Sequence, residues 1–63
     1  MTALEIFETW LNGNRKDARR EIEAAPSPVQ MAANCLQEAR IYGGAESHNE
    51  LEAWFQCWGD WDA

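Results

Sequence analysis

Cys35, His48 and Cys57 are the side chains of this sequence best suited to nucleophilic or metal chemistry, and their arrangement supports neither. Structural zinc sites draw their ligands in closely spaced pairs, and these three residues form no such pair. A Cys-His nucleophile would need a third group to orient the histidine, and the spacing supplies none. Gly43-Gly44 lacks the Lys-Ser/Thr partner that a phosphate-cradling loop requires. The sequence therefore assigns no catalytic, cofactor-binding or metal-ligating residue, and the chain is expected not to be an enzyme.

Two clusters with binding chemistry remain. Arg15, Lys16, Arg19 and Arg20 form a basic run that could belong to a helix-turn-helix, with Asn12-Gly13-Asn14 as its turn. Asp17, Glu21 and Glu23 dilute that run, and Glu23 is placed to pair with Arg19 at i, i+4. The whole chain carries a formal charge of -6, which repels nucleic acid and anionic membranes at long range. A solvated helix face with local ion pairs is therefore expected here, with no nucleic acid as partner.

The second cluster is aromatic. Leu51, Trp54, Phe55 and Trp58 recur at i, i+3, i+4, i+7 and share an arc of roughly 100° on one helix. Trp54, Phe55 and Trp58 can pack as core on Leu36 and Phe7, or some of these rings can serve as an interface hot spot, where tryptophan is enriched. Trp61 lies past Gly59 between Asp60 and Asp62, an unusual setting for a core residue. Trp58, Asp60, Trp61 and Asp62 are accordingly the candidate partner-binding residues.

The elements that must position these groups are helical. A chain of 63 residues is one domain near the lower limit for folding alone, so burial of its four tryptophans, two phenylalanines and one tyrosine, or a second copy, has to supply stability. Thr2 and Glu5 form a capping box that opens a first helix from about Ala3 to Leu11, and Asn12-Gly13-Asn14 ends it, with Asn14 able to cap the next helix. A second helix over about Arg15 to Ala24 has the thin apolar face Ala18, Ile22 and Ala25 and is expected at the edge of the structure. Ser27, Pro28 and Gln30 open a third, from Pro28 to about Tyr42. Its apolar positions Val29, Met31, Ala32, Cys35, Leu36, Ala39 and Tyr42 cover roughly 160°, which predicts a central element. Gly43-Gly44 ends that helix, Ser47 with Glu50 caps a fourth from about His48 to Trp58, and Gly59 closes it. No strand-like alternation occurs. The expected fold is all-α, a single domain over residues 1–63 made as a compact bundle of three to four short helices, closed within one chain or completed by dimerisation.

No apolar run is long enough to cross a membrane, and the start of the chain carries Glu5 and Glu8 where a leader would be basic, so a cytoplasmic protein is expected. Two cysteines are too few for a disulfide scaffold, and both are expected to be reduced.

In size, acidity and helical content, and in the look of "MTALEIFETWLNGNRKDARREIEAA" and "ELEAWFQCWGDWDA", the chain resembles the small accessory proteins of temperate bacteriophages, in particular the short early reading frames between the exonuclease and excisionase genes of lambda-like phages. The resemblance implies a protein of the bacterial cytoplasm that modulates phage development or a host process by binding a protein. The residues themselves lead to the same class, a small acidic helical interaction or regulatory protein. Two alternatives are a homo-oligomeric module whose aromatic face is used in self-association, and an acidic mimic of DNA that inhibits a nucleic-acid enzyme. The basic run argues against the last of these.

Overall fold

A computed structural model of the chain, which describes residues 1–58, shows α1 (Ala3–Leu11), α2 (Arg15–Glu23) and α3 (Pro28–Gln56), and no strand among the described residues. The chain is an all-α bundle. Its first helix begins as the sequence dictates: Glu5 N–H donates to Thr2 Oγ1 at 3.3 Å, and Thr2 N–H donates to Glu5 Oε1 at 2.9 Å. The Thr2 hydrogen bonds, backbone and side chain, hold the Glu5 carboxyl below the ordinary glutamate value. At the other end Asn14 N–H reaches Thr9 O and Gly13 N–H reaches Trp10 O, both at 3.1 Å, the paired bonds of a Schellman termination. Gly13 takes φ 92° there, a conformation that glycine adopts without strain.

The cap expected from Asn14 is absent. Its side chain makes no capping bond, and α2 receives only the Asn14 carbonyl, which accepts from Ala18 N–H at 3.1 Å. Ser27 does cap α3, its hydroxyl accepting from Gln30 N–H at 3.4 Å, with Pro28 in the first turn. Gln30 turns away and donates to Asn34 Oδ1 instead of returning to the cap.

The third and fourth predicted helices are joined end to end. A straight helix of 29 residues would be about 44 Å long, whereas the longest dimension of the molecule is 29 Å. The chain resolves this conflict at one residue: Gly44 adopts φ 77°, ψ −175°, and divides α3 into an arm over residues 28–43 and an arm over residues 45–56. That region of backbone space is essentially restricted to glycine. Helical turns resume at once, so Ser47 lies within the second arm and is not an N-cap. Its side chain packs over Gly43, where an added Cβ would lie 2.6 Å from Ser47 Cβ and 3.1 Å from Phe7 Cζ. The second arm ends at Gln56 with Cys57 as C-cap, ahead of Gly59, which lies outside the described residues.

The core joins all three helices through Ile6, Phe7, Trp10, Ala18, Ile22, Ala32, Cys35, Ala39, Leu51 and Phe55. Its centre differs from expectation. α1 packs on both other helices and contributes Phe7 and Trp10, the largest fully buried side chains, while α2 and α3 touch each other less. Val29 and Tyr42, assigned to the apolar face of the third helix, are 60% and 66% exposed. The first arm buries Ala32, Cys35 and Ala39 and packs Met31 and Leu36 partly against the core, a narrower arc than the spacing predicts. Ala18 and Ile22 of α2 are fully buried, while Ala25, assigned to the same face, lies past the end of the helix and is only half buried.

Candidate functional site

The aromatic side chains form a continuous chain of rings that starts in the core and ends at the surface. Phe7 stacks on Trp10 at 6.3 Å between centroids, Trp10 meets Trp54 at 6.0 Å, and Trp54 meets Trp58 edge-on at 5.0 Å. Phe55 touches Trp54 and Trp58 at 5.4 and 5.5 Å from the buried side. Tilted and edge-to-face pairs at these separations are the arrangements that the ring quadrupole favours. The rings of the stripe meet α1 at Trp10, where the sequence suggested Phe7 and Leu36 as their partners, and Trp54 and Trp58 are only half buried.

Two guanidinium groups of α2 roof this row. Arg15 Cζ sits 4.4 Å from the centroid of Trp10, and Arg19 Cζ sits 4.3 Å from that of Trp58. Cation–π contacts of this kind contribute about 0.5–1 kcal/mol when exposed and about 2 when desolvated. The long aliphatic stems of these residues also cover apolar surface while their charges stay wet. α2 can do this because Ala18 and Ile22, three residues after Arg15 and Arg19, are fully buried, which brings the neighbouring arginine side chains up against the rings. The Trp10 indole N–H is buried with no acceptor among the described residues, at a penalty of about 1–3 kcal/mol that a phenylalanine would avoid.

Between the cations and the outer rings lies a groove of about 260 Å³ lined by Arg15, Lys16, Arg19, Trp54, Cys57 and Trp58. A second, open concavity at the start of α2 is lined by Gly13, Asn14, Arg15, Lys16 and Asp17, so the two share Arg15 and Lys16. Elsewhere on α2 the expected ion pairs form: Arg19 with Glu23 at 3.3 Å and Arg20 with Asp17 at 3.5 Å. Arg15 and Lys16 have no carboxylate within ion-pair distance among the described residues. Both occupy the first turn of α2, where the helix dipole disfavours positive charge and where no side chain caps the free N–H groups. Asp17 shares that first turn and lines the second concavity beside them.

Of the residues expected to bind a partner, Trp58 lines this groove; Asp60, Trp61 and Asp62 lie outside the described residues. The described wall is aromatic and basic, where the sequence suggested an aromatic and acidic surface. Arg15, Lys16 and Arg19 were legible as a basic run but not as part of the aromatic site, because nothing local in sequence places residue 19 over residue 58. The candidate nucleophiles do not converge. Cys35 is fully buried, its Sγ donating to Ala3 O at 3.6 Å, and burial, with Glu38 nearby, pushes its thiol up to about 11. Cys57 is an exposed free thiol, and His48 contacts the neighbouring Asn49 side chain at 3.2 Å. No group of acidic, histidine and cysteine side chains that could hold a metal ion occurs among the described residues, and no helix among them is long and apolar enough to cross a membrane.

Fold and site together define a small all-α bundle with a cation-walled aromatic groove. Comparison with protein-family models, with curated proteins and with solved structures gives no match for the chain.

Proposed function

We propose that this chain is a small regulatory protein that acts by binding another protein, and that the groove between α2 and the end of α3 is its docking surface. The observation that carries this reading is the pair Arg15 and Lys16, left without carboxylate partners among the described residues of a chain in which acidic residues outnumber basic ones 11 to 5. Charges held at a helix end that disfavours them, next to half-buried indoles, combine the two features most characteristic of an interface centre: an aromatic anchor and an arginine. The resemblance to early accessory proteins of temperate phages supports a partner in the infected bacterium, of host or phage origin, and a role in phage development or a host process.

Self-association through the aromatic stripe has less support, because Leu51 and Phe55 are 1% and 5% exposed within a single chain and need no second copy to cover them. An acidic mimic of DNA also has less support, since the groove is walled by cations. The test is retention of a partner from bacterial lysate by the wild-type chain and by Lys16→Glu, with helicity compared by circular dichroism. A partner held by the first and lost by the second, at equal helicity, is the expected outcome. Equal recovery by both refutes the groove as the docking surface.

A further inference from the structure

We infer that the protein partner presents to this groove an extended acidic segment in which carboxylate side chains alternate with aromatic ones, the carboxylates facing α2 and the rings facing the end of α3. The inference rests on the reading of the groove as a docking surface and adds the chemistry of what docks there.

Charge comes first. One wall of the groove is Arg15, Lys16 and Arg19 of α2, and the other is Trp54, Cys57 and Trp58. The nearby acids are engaged elsewhere: Asp17 pairs with Arg20 at 3.5 Å and Glu23 with Arg19 at 3.3 Å, and neither lines the groove. Along α2, Arg15 precedes Arg19 and Lys16 precedes Arg20 by four residues, so like charges face each other across one helical turn. Arg19 and Arg20 have carboxylates that offset this repulsion, whereas Arg15 and Lys16 have none among the described residues. A partner that brings carboxylates to this wall converts the repulsion into attraction.

Spacing selects an extended segment. Arg15 and Arg19 are one turn apart, about 6 Å along the helix, and the Trp54 and Trp58 rings are 5.0 Å apart. The two walls run side by side, because Arg19 sits over Trp58 while Arg15 sits over Trp10, the ring that meets Trp54. An extended chain places every second side chain on one side at intervals of about 6.6 Å and turns the intervening ones to the other side. Such a segment meets the cations with one set and the indoles with the other.

Size and field exclude other occupants. A volume of about 260 Å³ is below the roughly 300–1,000 Å³ of sites that enclose a whole small molecule, and a helix about 10 Å across does not enter it. A single strand of nucleic acid also joins flat rings to negative charge, but it carries that charge at every nucleotide, and a chain of net charge -6 repels it at long range. A short peptide needs only two or three carboxylates.

The experiment titrates three capped hexapeptides into the full chain: alternating Glu and Tyr, a block of Glu followed by a block of Tyr, and alternating Lys and Tyr. A thymidine hexanucleotide is the fourth probe. The Trp54 and Trp58 indole signals report binding by NMR, and slower alkylation of the exposed Cys57, with the buried Cys35 as internal control, places it in the groove. The alternating Glu-Tyr peptide should shift both signals, protect Cys57 and weaken with added salt. The block peptide, and the alternating peptide with Arg15→Gln at equal helicity, should bind about tenfold more weakly, the worth of one hydrogen bond to a charged group. Equal binding of the alternating and block peptides, or of the Glu and Lys peptides, overturns the proposal. Tighter binding of the hexanucleotide overturns it in favour of nucleic acid, and indole signals that move with protein concentration alone overturn it in favour of a second copy. If no peptide binds while Lys16→Glu still loses its partner from lysate, only the chemistry of the occupant falls. If Lys16→Glu also keeps that partner, the reading of the groove falls with it.

Discussion

The two arms of α3 bury themselves against α1 in opposite ways. Residues 28–43 turn Ala32, Cys35 and Ala39 inward, side chains so small that the Cys35 thiol reaches the backbone carbonyl of Ala3 at the start of α1. Residues 45–56 turn Leu51 and Phe55 inward and leave Trp54 half buried, with Trp58 just beyond. Small residues give a thin contact that closes on itself, and its contents are shielded from solvent. Rings give a thick contact whose outer edge stays open, and α2 covers that edge with charged side chains. At the first end the sequence serves the fold alone; at the second, the same rings serve the fold and the groove.

Each side of this contrast carries one thiol, and their reactivities provide the largest expected difference. Cys57 is exposed and should react with a thiol reagent at once, whereas Cys35 is reached only through unfolding. For a small domain of about 3–5 kcal/mol stability the ratio of rates is on the order of 10²–10⁴ near neutral pH. Because burial raises the Cys35 pKa to about 11, its neutral form favours the folded state: that contribution is full below the ordinary thiol value and is lost as pH rises through about 11. Timed alkylation read by mass spectrometry checks the ratio, and equal rates would place the first arm on the surface.

Next is the hub of the ring chain. Trp10 is 1% exposed and stands between Phe7, Trp54 and Arg15, so Trp10→Ala should remove about 3–5 kcal/mol and leave the domain largely unfolded. Thermal melts monitored by circular dichroism measure this, and a loss below about 1 kcal/mol would mean the rings are ornaments of the groove and not part of the core.

The bend that separates the arms can also be tested directly. Gly44→Ala meets no neighbour within 4 Å, so its penalty is purely conformational, about 1–3 kcal/mol for a side chain held at φ 77°. Denaturant unfolding gives the value. A neutral result would show that the break in α3 relaxes without strain and that the two arms are not set by this residue.

Much of the framework was legible in the sequence because it depends on neighbours a few residues apart. Thr2 with Glu5, Gly13, and Ser27 before Pro28 each fix a helix end through local hydrogen bonds or a permitted φ, and each lies where its chemistry requires. Ser47 reads as a cap for the same local reason, yet Gly44, three residues earlier, lets the helix restart at once, and the serine side chain lies against Gly43 instead. Periodicity identified an apolar face on the first arm but could not tell how wide the helix opposite would be, so Val29 and Tyr42 were assigned to a core that never reaches them. The contact of Arg19 with Trp58 joins residues far apart in sequence, and only the fold brings them together.

Arg15→Gln leaves a shorter, uncharged polar side chain beside Trp10 and removes the cation, so it should lower stability by about 0.5–1 kcal/mol. Urea unfolding is sensitive enough for this. An unchanged midpoint would mean the guanidinium merely covers Trp10, with no electrostatic part.

The smallest effect on stability has the opposite sign, and it separates the two roles of this end. Lys16 stands in the first turn of α2, makes no ion pair among the described residues and lines the groove. A negative charge at that position interacts favourably with the helix dipole, so Lys16→Glu should raise stability by about 0.3–1 kcal/mol even though the net charge becomes more negative. If Lys16 is kept for binding, the same substitution abolishes partner retention. A residue whose replacement strengthens the fold and destroys docking serves the site at the expense of the fold. A Lys16→Glu chain that is less stable than wild type would instead make this lysine a structural residue, and the open edge of the aromatic arm would belong to the core after all.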